Sequence, residues 1–175
     1  MTSTDFSTFV TAENTAAKDA SESRALRINE WRRNVDDLYS QVNEFLGDFI
    51  KDGSIIMERQ DRSMSEELLG NYKIDQLLIR IGATRVALEP VGAMIFGAFG
   101  RVDLVGPRDA KKFVLVPEAS ERAHIRVLSA EEAEQEAKAP YRQPKLAWKI
   151  SEGPRKDYIR LERATLMDAI MAVAQ

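Results

Sequence analysis

Asp75 in "KIDQLL", Glu89 in "VALEPV" and Asp103 in "RVDLVG" carry the strongest chemical signal in the chain. Three carboxylates brought into one cleft can hold Mg²⁺ and activate water for phosphodiester hydrolysis. A nuclease of that kind also wants an acidic residue two before a lysine, which helps orient the attacking water. Here Pro90 and Val91 follow Glu89, and the lysine is missing. Two-residue alternation supports another reading. Val86 and Leu88 point inward and leave Arg85, Ala87 and Glu89 outside; Val102 and Leu104 likewise leave Arg101 and Asp103 outside, with Arg80 able to join them. Such charges form cross-strand ion pairs worth a few tenths to about 1 kcal/mol each. The ion-pair set is the favoured reading, and a metal-dependent nuclease or phosphohydrolase using Asp75, Glu89 and Asp103 is an alternative.

Residues 141–160 intersperse Arg142, Lys145, Lys149, Arg155, Lys156 and Arg160 with Tyr141, Trp148 and Tyr158. Basic side chains among aromatics can follow a single strand by phosphate attraction and base stacking. Lys145, Trp148, Lys149, Arg155 and Lys156 are therefore candidate nucleic-acid contacts. Against this, a terminal hairpin would turn Leu146, Trp148 and Ile150 into the core and leave its lysines in solvent. The formal net charge of −3 supplies no global field for an anionic polymer, so nucleic acid is the less favoured partner.

Other chemistries lack their residues. There is no cysteine, which removes disulfides, thiol nucleophiles and thiolate metal sites. His124 is the only histidine, no Gly-x-Ser-x-Gly occurs, and Gly92, Gly97, Gly100 and Gly106 match neither a dinucleotide fingerprint nor a phosphate loop. These glycines read as turns, bends or close backbone approaches in a curled sheet. No cofactor and no metal is expected, and no catalytic residue is assigned.

The elements that would position these residues follow from periodicity. Ile28, Trp31, Val35, Leu38, Val42, Phe45 and Phe49 step by three and four, a seven-residue repeat that predicts a helix from about residue 23 to 51. "KDG" ends it, with Gly53 at the left-handed cap. From Ser54 onward, short alternating runs joined by tight connections predict an antiparallel meander, including "AMIFGAF" and "HIRVL" as strands. "LERATLMDAIMAVA" returns to helical spacing. The expected fold is α+β: a long N-terminal helix packed on a curled, mostly antiparallel sheet of about eight strands, closed by a short C-terminal helix. Residues 1–22 read as a flexible lead or a loosely attached helix. Residues 23–175 read as a single domain, with an acidic loop at 129–144.

A helix that long exceeds what the short C-terminal helix can cover. Either the sheet packs along its stripe, the favoured reading, or Trp31, Val35, Leu38, Val42 and Phe45 form a seam for a protein partner or a homodimer. No leader pattern and no membrane-length apolar run is present, which suggests a cytoplasmic protein. The long helix, the central "LEPVGAMIFGAFGRVDLVGP" meander and the late "AWKI" strand together look like small bacterial proteins of unassigned function. That similarity implies an accessory, immunity-like or defence-associated role and carries over no site residues. The leading expectation is a non-enzymatic protein-binding module.

Overall fold

The computed structural model describes residues 3–93, 95, 97–123, 144–153 and 157–175. Two helices open the chain, α1 (Ser3–Phe45) and the short α2 (Gly47–Lys51). A seven-stranded sheet follows: β1 (Ile55–Glu66), β2 (Gly70–Ile81), β3 (Thr84–Gly92), β4 (Arg101–Val105), β5 (Ala110–Pro117), β6 (Leu146–Glu152) and β7 (Asp157–Arg160). Helix α3 (Arg163–Ala174) ends the described chain. Every strand pairs antiparallel with its sequence neighbours, so spatial order equals chain order and the sheet stays open, with β1 and β7 at its edges.

The core forms because both helices place apolar stripes against one face of this meander. Trp31, Val35, Leu38, Tyr39, Val42 and Leu46 meet Leu77, Ile79, Val86, Leu88, Val102, Leu104, Phe113, Leu115, Trp148 and Ile150. Leu166, Ala169, Ile170 and Val173 of α3 complete the same cluster. The seven-residue stripe thus packs on the protein's own sheet. It stops at Phe45, where the helix breaks before Gly47, and Phe49 beyond the break is exposed. Gly53 takes φ 80° just past α2, the left-handed position expected for it. Helix α3 starts with a reciprocal cap in which the Glu162 backbone N–H donates to Thr165 Oγ1 at 2.9 Å.

Helix α1 begins at Ser3, well before residue 23, so residues 3–22 take the form of the loosely attached helix rather than a flexible lead. The described residues of "AMIFGAF" lie in no named strand: Ile95 and Ala98 make an isolated bridge around Gly97, whose φ of 82° closes a turn, and the described sheet has seven strands. "HIRVL" lies outside the described residues, as does the acidic loop except for Pro144.

The β1–β2 ribbon explains how the sheet curls. Both strands have 12 residues in unbroken register, yet only Leu77–Ile81 of β2 also pair with β3. Buried residues on β2 switch from odd (Leu77, Ile79) to even (Tyr72, Ile74) without a register shift. A ribbon with no third strand twists more strongly, and that rotation swaps its faces. Where β2 leaves β3, the Tyr39 hydroxyl fills the gap: it is shared between the carbonyls of Asp75 at 2.8 Å and Leu88 at 3.2 Å.

Burial raises the Tyr39 pKa well above its ordinary value near 10. A pKa raised by folding contributes stability that is complete below about pH 10 and is lost as pH climbs through the folded-state value. Alkaline denaturation should therefore steepen above about pH 10 in the native chain. Tyr39→Phe should cost about 1–3 kcal/mol at neutral pH, because two buried carbonyls lose their donor, and should flatten that alkaline limb in urea titrations.

Candidate functional site

Alternation along β3 and β4 places Glu89 and Asp103 directly opposite each other in register. Each carboxylate is held by its own guanidinium. Arg62 Nη1 lies 2.6 Å from Glu89 Oε2 and also reaches Gln76 Oε1 at 3.4 Å. Arg101 grips Asp103 in a two-pronged contact of 2.7 and 2.6 Å. That bond raises the arginine's pKa. Lys112 stands opposite Asp103 on β5.

Asp75 does not join them. Gln76 shares the Arg62 contact with Glu89, and Asp75, one residue away along the strand, points to the other face. There it sits 3.8 Å from Arg59, which pairs with Asp36 of α1 at 2.5 Å and lies over the Tyr39 ring at 5.3 Å. Among the described residues no group of three or more acidic, histidine or cysteine side chains is placed to hold a metal ion. Chemically, this is a set of fixed ion pairs tying β1 to β3 and α1 to the ribbon.

The partner of Asp103 is the one its sequence neighbourhood suggests. The partner of Glu89 is not: Arg85 faces Arg80 across β2 and β3, and both are exposed. Arg62 was missed because strand β1 reads as ending near Arg59, whereas pairing continues to Glu66. Its signal was the alternation Glu58, Gln60, Arg62, which extends the β1 pattern by one more step.

The basic aromatic hairpin is also committed to structure. Trp148 is buried, its ring 6.2 Å from Trp31 and its indole N–H donating to the Asn34 carbonyl at 3.0 Å. Lys149 is 8% exposed, and its ammonium donates to the carbonyls of Glu118 at 2.7 Å and Ser120 at 2.6 Å. Neither side chain presents itself to a polyanion. Lys145 is exposed and bonds Glu118, whose carboxyl it holds below the usual range. Arg155 and Lys156 lie outside the described residues. Lys149→Met keeps the stem packing but strips two carbonyls of a charged donor. It should cost about 1.5–3 kcal/mol and speed proteolysis between residues 117 and 123, read by urea denaturation and limited digestion.

Along α1, Trp31, Val35, Leu38 and Val42 are buried and Phe45 is half-buried against the sheet. The seam expected of these five residues is therefore filled from within the chain. The helix leaves something else: residues 5–27 are all exposed. Phe6 is 69% exposed, Phe9 58% and Leu26 69%, with Val10 beside the two rings. The Phe6 and Phe9 rings lie 6.4 Å apart. At about 1.5 Å per residue this arm reaches roughly 35 Å beyond the first core residue. Its signal in the sequence was the i, i+3, i+4 spacing of Phe6, Phe9 and Val10, masked by the serine, threonine and alanine around it.

Compared with known proteins, the chain matches no family model, no curated protein and no solved structure. No described helix is long and apolar enough to cross a membrane.

Proposed function

We propose that this protein is a small cytoplasmic, non-enzymatic protein-binding module of accessory or immunity-like type, and that the outer half of α1 is the element that engages the partner. The observation carrying this reading is the exposed arm with Phe6, Phe9 and Val10 on adjacent turns. A helix that nothing packs against is marginal in water, since most helical stability in proteins comes from burying one face. Anchors at i, i+3 and i+4 fit the mode in which a helix lies in an apolar groove of another protein. Asp5, Glu13, Asp19 and Glu22 stand against Lys18 alone over residues 3–23, so the groove should carry a basic rim.

Removing residues 1–22 separates arm from body, because the core starts at Ile28. Affinity purification from the native host should recover a stoichiometric protein with the full chain and lose it with the shortened one, while the melting temperature changes little. Retention of the same protein by the shortened chain would overturn the reading.

A further inference from the structure

The two edges of the sheet differ. At β7 the outer side of a four-residue strand is partly covered, since Arg122 bridges to Asp157 and the Tyr158 N–H donates to the Glu121 carbonyl at 2.8 Å. At β1 a 12-residue strand pairs, among the described residues, only with β2. Antiparallel pairing on one side uses half of a strand's backbone groups, and the rest of β1's donors and acceptors point outward. A long edge of this kind is a template for another strand.

We propose that β1 pairs antiparallel with β1 of a second copy, about a two-fold axis through Gln60, joining two sheets edge to edge. The warrant is the order of charges in "ERQDR", residues 58–62. With Gln60 on the axis, Glu58 faces the second copy's Arg62 and Arg59 faces its Asp61, and symmetry repeats both contacts. Ile56, half of whose surface is exposed, falls opposite Met64. A slip of one residue ruins this: in one direction Glu58 opposes Asp61, in the other Arg59 opposes Arg62. Opposite charges across strands stabilise pairing and like charges oppose it, so the strand specifies its own register. Charges on an edge ordinarily repel a second strand. Here their arrangement is complementary to itself.

Arg59 engages Asp36 and Asp75 through Nη1, which leaves its other guanidinium donors for the second copy's Asp61. Glu58 is exposed and makes no hydrogen bond or ion pair among the described residues. Arg62 engages Glu89 and Gln76 through Nη1, which leaves its remaining guanidinium donors for a second carboxylate. Among the described residues Asp61 is tied only to exposed Lys73 at 3.4 Å. Helix α1 reaches the ribbon from its face, through Arg59 and Asp36, and not along its edge.

Sedimentation velocity across a concentration series should show a monomer–dimer equilibrium that weakens with salt. Glu58→Lys sets a like-charge pair against Arg62 twice, so it should raise the dimer dissociation constant about tenfold or more while leaving the melting temperature of the dilute monomer unchanged. The chain has no cysteine, so Gln60→Cys introduces a single thiol on the axis. Mild oxidation should link two such chains rapidly, whereas Ser63→Cys, opposite Met57, should link slowly. A monomer at every concentration would overturn the proposal. So would a dimer indifferent to Glu58→Lys, or equal crosslinking rates at positions 60 and 63.

Discussion

Trp31→Ala is expected to lower the unfolding free energy by about 3–5 kcal/mol, enough to shift the melting temperature by roughly 10 °C. Trp31 is fully buried and stands where three elements meet. It projects from α1, packs its ring against Trp148 of β6, and lies so close to Gly100, just before β4, that a Cβ there would fall within 2.9 Å of ring atom Cε3. Truncation opens a cavity that the rigid approach of Gly100 cannot close. Its indole Nε1 is buried without, among the described residues, a partner in good hydrogen-bond geometry, the Tyr72 hydroxyl being its polar neighbour. Trp31→Phe should therefore lose mainly the packing of the missing ring atoms, about 1–2 kcal/mol. Trp148→Phe should cost more than that, since it leaves the Asn34 carbonyl without its donor. Urea unfolding of the three variants checks the ranking, and equal losses for the two phenylalanine variants would contradict it.

Gly106→Ala is expected to destabilise by about 1–3 kcal/mol or more, as overpacking against atoms that cannot yield. A Cβ at this position would strike the Val173 carbonyl, coming within 2.6 Å of its carbon and 2.8 Å of Val173 Cγ2. That carbonyl also accepts the Arg108 N–H at 3.0 Å, so the last turn of α3 is pinned to the β4–β5 connection. The strain has no side-chain route of escape. Gly47→Ala is the contrast, because nothing lies within 4 Å of the added carbon and the residue is helical. It should be neutral or stabilising by up to about 1 kcal/mol. If both variants melt alike, the close approach at Gly106 is not what holds α3.

Much of the architecture was legible because it rests on periodicity. The three-four spacing from Trp31 to Phe45 and the alternation in Val86, Leu88, Val102 and Leu104 mark sides that must be buried, and those residues form the core. Position in a register was far harder to read. Glu89 finds Arg62 because that long side chain reaches past Gln76 of β2 to β3, and no local pattern encodes a contact two strands away. Lys149 looked solvated by composition, yet the turn after β5 supplies two carbonyls that satisfy its charge inside. The start of α1 was misplaced for a related reason: Ala, Ser and Thr permit a helix without an apolar stripe, so the signal faded where the core ended. The opening carboxylates resolve the same way. Glu89 and Asp103 share a face by alternation, and what neutralises them depends on which arginines come within reach.

The outer half of α1 is proposed as the surface that meets another protein. Its most direct test is photo-crosslinking in the native host from a reporter amino acid placed at Phe9, with the same reporter at Arg85 on the opposite face of the sheet. The account predicts a discrete adduct between this chain and one different protein from position 9 and none from position 85. No adduct from position 9, the same adduct from both positions, or an adduct of twice this chain's mass from position 9 would contradict it.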